Sequence, residues 1–173
     1  MSQNLLADGT ADLLRTELSA APADSYLINP SRDTIEELVS VMSDLESPPS
    51  VRLLAAERPI KDVMDDFIVA SRAANLVADG RLEIRTVEEP PENALFLTDE
   101  EVVALVSAGE TVAGLTSDDA DFVASAAERY ESVWDDASEF GLRTPPLTEV
   151  RETLSSDISE DTATDFDEVL ASL

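Results

Sequence analysis

The residues best suited to binding a ligand are five polar and charged side chains that follow two predicted strands. They are Asn29, Ser31, Arg32, Glu57 and Arg58. Ligands of open α/β sheets bind in the crevice beyond the carboxyl ends of the strands, and two arginines beside a helix start suit a carboxylate, a phosphate or a sugar phosphate. The pattern therefore predicts a site for a small anionic or sugar metabolite. The alternative interpretation is that Arg32 and Arg58 pair with acidic residues on the surface.

Residues that could carry catalysis are scarce. The sequence contains no His, no Cys and a single lysine, Lys61, so a general base would have to be a carboxylate or that lysine. Disulfides and histidine or cysteine zinc sites are excluded. With only five glycines, there is no glycine-rich phosphate-binding loop. We therefore predict no catalytic residues, no metal site and no cofactor.

Adjacent acidic residues are the remaining pattern that could hold a metal ion. Three such pairs are Asp65-Asp66, Asp118-Asp119 and Asp135-Asp136. Because acidic residues are so numerous in this chain, we interpret these pairs as solvated helix faces. A metal-dependent hydrolase based on carboxylates would need several acids to converge on one cation, and it is kept as an alternative.

The excess of acidic residues indicates the salt environment of the protein and limits the kinds of partner that it can bind. Its 173 residues include 38 acidic and 11 basic ones, giving a formal net charge of −27. Concentrated salt makes such a surface tolerable, because the screening length shrinks to ~3 Å at about 1 M, and we predict a halophilic protein. An ordinary acidic domain with a basic partner is the competing interpretation. Direct contact with a nucleic-acid backbone is disfavoured, since that needs a basic face.

Targeting signals are not evident in the sequence. No apolar run approaches the ~20 residues that a membrane-spanning helix needs. The first 18 residues lack the basic start and apolar core of a signal peptide. We therefore expect a cytoplasmic protein without membrane contact.

The elements that must position the candidate site form a predicted βαβαβ unit. Its strands are predicted at 25–28, 51–55 and 82–86, with one helix at 32–45 capped by Ser31 and another from Pro59 to the stop at Asp79-Gly80. A strand, a crossover helix and a second strand within about 30 residues favour parallel pairing. The first half of the chain therefore predicts an α/β sheet, preceded by a helix that Asp8 or Thr10 caps.

The second half of the chain predicts an antiparallel extension of that sheet. Short strands are expected at 94–97, 102–106 and 111–115. A long helix follows, capped by Thr116 or Ser117 and ended by Gly141. Its predicted apolar stripe consists of Phe122, Ala126, Tyr130, Val133, Trp134 and Ala137. The fold class is thus a mixed α/β sheet with helices on both faces.

The strands and the long helix between residues 94 and 140 form a pattern seen in a family of regulators. The segment ALFLTDEEVVALVSAGETVAGLTSDDADFVASAAERYESVWDDASEF has an acidic turn after its first strand, two more strands, and a helix ending in Tyr130 and Trp134, followed by Ala137. It resembles the end of the sensor domain of archaeal TrmB-like transcriptional regulators. With the acidic composition, the chain from Ser25 to Leu142 resembles the haloarchaeal TbsP family, which is tied to central sugar metabolism.

The resemblance implies a phospholipase-D-like sensor fold, homodimerisation and a C-terminal winged helix-turn-helix that contacts promoter DNA. Two features depart from that plan. An active phospholipase D motif needs His and Lys, and the chain has no His, which argues against phosphodiesterase chemistry. It also lacks a basic recognition helix, so promoter DNA would be contacted only through a domain that this chain does not contain.

These observations predict a division of the chain and a function. Residues 1–143 are expected to form the TrmB-like sensor and dimerisation domain. Residues 144–173, with short helices at 147–154 and 161–170, are expected to be a helical extension leading toward an absent winged-helix domain. The predicted function is effector sensing and dimerisation in a haloarchaeal transcriptional regulator of sugar and central carbon metabolism, without enzymatic activity. The alternative to the hydrolase and the regulator is a stand-alone protein-interaction module that uses the two terminal helices.

Overall fold

The computed structural model describes residues 2–7, 9–21 and 24–172. Its strands are β1 (Ser2–Ala7), β2 (Ser25–Ile28), β3 (Val51–Ala55), β4 (Leu82–Thr86), β5 (Leu95–Leu97), β6 (Val102–Ala108), β7 (Thr111–Ser117) and β8 (Ser138–Glu139). Its helices are α1 (Thr10–Ala20), α2 (Arg32–Asp44), α3 (Glu57–Met64), α4 (Phe67–Ala78), α5 (Ala120–Asp136), α6 (Leu147–Thr153) and α7 (Glu160–Ser172). A π-helical turn, Leu154–Ile158, joins α6 to α7. None of the described helices is long and apolar enough to cross a membrane.

One mixed sheet organises the domain. Its strand order is β1-β7-β6-β5-β2-β3-β4-β8. The strands β2, β3 and β4 are parallel, whereas β5, β6 and β7 run antiparallel to their neighbours and join the parallel set through β5 and β2. The predicted parallel set and its antiparallel extension are therefore confirmed. Strands β1 and β8, which the sequence pattern does not predict, pair antiparallel at the two edges.

Helices cover both faces of the sheet, as predicted. On one face, α1 to α4 pack on side chains such as Leu27, Leu53 and Phe96, all fully buried. On the other face, α5 packs on a smaller core that includes Ile28 and Leu54. Consecutive residues of a strand point to opposite faces, which is why the apolar runs of β2 and β3 supply both cores.

The predicted long helix after β3 is two helices in the structure, and that part of the prediction is wrong. The helix α3 ends at Met64 and α4 begins at Phe67. Between them, the Asp66 carboxylate accepts hydrogen bonds from the backbone N–H groups of Ile68 and Val69, at 2.9 and 3.2 Å. This N-cap starts a new helix, and both helices bury apolar residues in the same core, among them Ile60 of α3 and Ala73 of α4.

The other predicted helix starts have mixed outcomes. Ser31 caps α2 as expected, accepting from the backbone N–H of Thr34 at 3.2 Å. The cap of α5 is Asp119, not Thr116 or Ser117, because β7 continues to Ser117. The helix α1 begins at Thr10 after Gly9, without a side-chain cap bond. The other predicted cap of α1, Asp8, lies outside the described residues.

The C-terminal helices contact the body of the domain. Leu147 is buried, and Asn75 on α4 accepts hydrogen bonds from the backbone N–H and the hydroxyl of Thr148, at 3.2 and 3.1 Å. Within the extension, Arg151 on α6 pairs with Asp167 on α7. The helix α6 therefore has the surface of α4 as its partner, while Ile158 and Val169 further along are 65% and 58% exposed.

Candidate functional site

A groove of about 1470 Å³ lies beyond the carboxyl ends of β3 and β4. Three stretches line it. They are residues between 56 and 65 along the whole of α3, residues 86–88 at and after the end of β4, and residues between 136 and 144 from the end of α5 onward. This is the edge at which open α/β sheets bind their ligands. The groove is therefore the candidate site of this domain.

Strand pairing brings the third stretch to the groove. After α5, the short strand β8 pairs with β4, with Glu139 opposite Arg85. The backbone N–H of Phe140 then donates to the carbonyl oxygen of Ile84 at 3.0 Å. These bonds hold residues 138–140 alongside β4, so residues far apart in sequence line one groove.

Charged side chains make up half of the groove lining. Of its 18 residues, nine are charged. The basic ones are Arg58, Lys61 and Arg143, and the acidic ones are Glu57, Asp62, Asp65, Glu88, Asp136 and Glu139. Donors and acceptors of both signs in an open groove suit a ligand with several hydroxyl groups, whereas six carboxylates disfavour a ligand with many negative charges.

The start of α3 adds polar groups to this groove. Its N-cap residue, Ala56, has no side-chain oxygen, so no side chain caps the first backbone N–H groups of the helix. Glu57 and Lys61 form an ion pair at 2.8 Å with both side chains more than half exposed. An ion pair this exposed contributes little stability, so both side chains can exchange partners when a ligand enters.

The structure divides the five residues that the sequence predicts for the site. Glu57 and Arg58 line the groove, whereas Asn29, Ser31 and Arg32 are not among the residues that line it. Asn29 has a left-handed backbone (φ 46°), and its side-chain amide donates to the carbonyl oxygen of Pro91. Ser31 is engaged as the cap of α2, and Arg32 is exposed on that helix. Their binding role stays a prediction.

Several groove residues have no signal in the sequence. Arg143, Phe140 and Thr144 reach the groove only through the pairing of β8 with β4. Lys61 lies one helical turn after Glu57, and its spacing alone is equally typical of a surface ion pair. The groove residues between 138 and 144 could have been predicted only if β8 had been recognised as a strand.

A cluster of cations and aromatic rings lies on the α5 side of the parallel strands. The guanidinium carbon of Arg85 is 4.7 Å from the ring centre of Trp134, and Arg85 donates to the backbone oxygen of Trp134 at 2.9 Å. Tyr26 meets Trp134 edge to face with ring centres 5.9 Å apart. Arg52 lies 5.3 Å over the Tyr26 ring and donates to its hydroxyl at 2.7 Å. These contacts fix the end of α5 against the sheet, next to the groove.

A family of known proteins matches most of the chain. The model of the TbsP-like transcriptional regulator N-terminal domain matches residues 2–145. The chain belongs to this family. The predicted identity as a TbsP-type, TrmB-like regulator domain is thus confirmed. No curated protein matches the sequence.

Several solved structures share the fold of this chain at low sequence identity. One is TrmBL2, described as an archaeal chromatin protein with a novel mode of DNA binding, at a TM-score of 0.54 and 13% identity over 80% of this chain. The chain spans 54% of the length of TrmBL2. The phospholipase D family member Nuc from Salmonella typhimurium matches 81% of this chain and is itself 99% covered, at a TM-score of 0.52 and 12% identity. NucT from Helicobacter pylori matches 81% and is 100% covered, at 0.51 and 12%.

These neighbours confirm the phospholipase-D-like fold. At 12–13% identity, the likeness shows the fold and not the activity. The family that matches the sequence is one of transcriptional regulators. Within the described residues, no group of three or more acidic side chains is arranged to hold a metal ion. Two members of the adjacent acidic pairs, Asp66 and Asp119, are helix N-caps and not the exposed positions within a helix that were predicted for them.

Proposed function

We propose that this domain is the effector-sensing and dimerising part of a halophilic DNA-binding regulator linked to sugar and central carbon metabolism. The groove beyond β3 and β4 is its effector site. The observation that carries this proposal is the coincidence of a regulator family with a large polar groove at the ligand-binding edge of the sheet. The charge of −27 supports a role in concentrated salt.

The chemistry of the groove supports a small polyhydroxyl metabolite as the effector. Arg58, Lys61 and Arg143 can donate to ligand oxygens, and the neighbouring carboxylates can accept from ligand hydroxyls. A single phosphate is compatible with the three basic side chains. Of the five residues that the sequence nominates, Glu57 and Arg58 are the ones we assign to this groove.

The proposed role is regulatory and not catalytic. The chain has no His, although the phospholipase-D-like fold in its active form uses a motif that needs one. Promoter DNA would be contacted by another domain of the full-length protein, because this domain is strongly acidic. Such a role places the protein in the cytoplasm.

Thermal unfolding in molar KCl with a panel of sugars and glycolytic intermediates tests the effector site. A ligand at about 100 times its dissociation constant should stabilise the domain by ~2.7 kcal/mol, which is roughly 5–10 °C for a chain of this size. Arg58→Ala should remove most of that shift, because it deletes a donor in the groove. Arg15→Ala is the matched control, since Arg15 is exposed on α1 and is not among the residues that line the groove.

Two outcomes would contradict the proposal. If no compound in the panel shifts the unfolding temperature, the domain does not sense this class of metabolite. If Arg58→Ala leaves the shift intact, the ligand binds outside the groove.

A further inference from the structure

The two faces of β6 and β7 are covered very differently. Toward α1, which packs against β7, Val103 and Val112 are 0% and 5% exposed. Toward α5, Val106 and Leu115 on the same two strands are 47% and 48% exposed. A strand whose outer face meets water normally alternates apolar and polar residues, and these strands are apolar on both sides.

The uncovered side forms one continuous apolar surface. The register places Ala104 opposite Leu115, and Val106 opposite Ala113, so all four lie on the face that α5 shares. Phe122, at the start of α5, is 52% exposed and lines the same groove of about 930 Å³ as Leu115. We call this surface the open face and define it by Ala104, Val106, Ala113, Leu115 and Phe122.

Low charge distinguishes the open face from the rest of this acidic molecule. Its groove has 16 lining residues, of which only Glu89, Glu92 and Arg129 are charged. The groove beyond β3 and β4 has nine charged residues among 18. Two chains of charge −27 repel each other, and an apolar, nearly uncharged surface is where two copies can approach at the smallest electrostatic cost.

We propose that the open face is the surface through which two copies of this chain dimerise. In a twofold-symmetric contact the same surface meets itself, so Leu115 and Phe122 of each copy bury the apolar surface of the other. Each copy carries Arg129 together with Glu89 and Glu92 around this surface, so a twofold contact can pair the Arg129 of one copy with an acidic residue of the other.

This inference rests on the dimerisation part of the proposed function and is independent of the effector site. The proposed occupant is a second copy and not a foreign protein. A basic partner would be attracted to the acidic surfaces of this domain and not to the nearly uncharged open face.

The molar mass of the whole chain, measured by light scattering and sedimentation in about 3 M KCl, tests the inference. The wild type should be a dimer. Phe122→Ser and Leu115→Ser should each weaken dimerisation by roughly 30-fold or more, as expected for buried interface anchors that occur twice in a symmetric contact. Phe67→Ser is the matched control: Phe67 is 46% exposed at the start of α4, on the opposite side of the sheet. It should leave the dimer intact.

The salt dependence gives a second, independent readout. Because the contact is apolar and the molecules repel each other, dimerisation should strengthen from about 1 M to about 3 M KCl. A monomeric wild type would overturn both the inference and the proposed dimerisation. Three results would overturn only the assignment of this surface: both open-face variants remain dimeric, Phe67→Ser disrupts the dimer as strongly as they do, or the wild-type dimer weakens as salt rises. If Phe122→Ser does not fold, the two single variants Leu115→Ser and Arg129→Glu are used as the test variants.

Discussion

Among the described residues, Glu17 is the one whose pKa the fold shifts furthest. It lies on α1, is 3% exposed, and shares a hydrogen bond with Glu101 near the start of β6. Burial, and next the charge and hydrogen bond of Glu101, raise the pKa of Glu17 from its ordinary 4.5 to about 7. The Glu17 carboxyl group can donate this hydrogen bond only when it is protonated, so the contact is favourable only while Glu17 keeps its proton.

The pH dependence of stability should report this contact. Because folding raises the pKa of Glu17, the protonated form stabilises the fold, and that stabilisation is complete below about pH 4.5 and lost as pH rises toward 7. At about 1.36 kcal/mol per pKa unit, the loss is ~3 kcal/mol. Glu17→Gln should be close to the wild type near pH 4.5 and more stable than it above pH 7, as measured by denaturant unfolding in molar salt.

A control variant separates this effect from the general charge of the molecule. Glu110→Gln removes an acid from the exposed turn between β6 and β7, and it accounts for the loss of one surface charge. A difference between wild type and Glu17→Gln that stays constant from pH 4.5 to 7 would show that Glu17 does not hold the proton.

At the scale of elements, apolar periodicity placed most helices and strands, and helix caps decided where they divide. The predicted strands 25–28, 51–55 and 82–86 agree with β2, β3 and β4. The helical pattern after β3 continues through Asp65-Asp66, so periodicity alone could not reveal the break there. The deciding interaction is local: a carboxylate that satisfies two backbone N–H groups at the start of α4.

Removing the Asp66 cap should destabilise α4. Asp66→Ala should lower the free energy of unfolding by about 1 kcal/mol, or roughly 2–4 °C, because it leaves the N–H groups of Ile68 and Val69 without their acceptor. Asp65→Ala is the matched control, since it removes an adjacent exposed carboxylate that makes neither of these bonds. Equal losses in the two variants would mean that charge, and not the cap, is responsible.

At the scale of the whole molecule, surface charge dominates. In the described part of the chain, four side-chain ion pairs are present: Arg15–Asp12, Lys61–Glu57, Arg85–Glu83 and Arg151–Asp167. With 38 acidic residues in the sequence, these few pairs leave most of the repulsion to be screened by salt. The two packed cores provide the cohesion that opposes it.

Salt should therefore stabilise the fold strongly. Between about 0.1 M and 3 M KCl, the screening length falls from about 10 Å to below 3 Å, and the unfolding temperature should rise by roughly 10 °C or more as self-repulsion is removed. Sorbitol at equal osmolarity is the uncharged control and should give a smaller rise. An unfolding temperature independent of KCl would contradict the halophilic interpretation.

Local sequence predicted two of the five nominated site residues to lie where the groove is found. Glu57 and Arg58 were predictable because they directly follow an apolar strand and begin a helix, and the groove is at that edge of the sheet. Asn29, Ser31 and Arg32 follow a neighbouring strand under the same rule but do not line the groove. Two of them have short side chains that bond instead to the backbone close to them in space, at Pro91 and at Thr34.

Most of the local elements, the acidic character and the regulator family follow from the sequence, because they depend on short-range patterns and on composition. The fold was needed to show that β8 pairs with β4 and brings Arg143 to the groove of Arg58. It also decided that β6 and β7 are buried toward α1 and open toward α5. Contacts between distant segments follow from the strand order of the sheet, and the alternation within one strand does not specify which neighbours will cover its two faces.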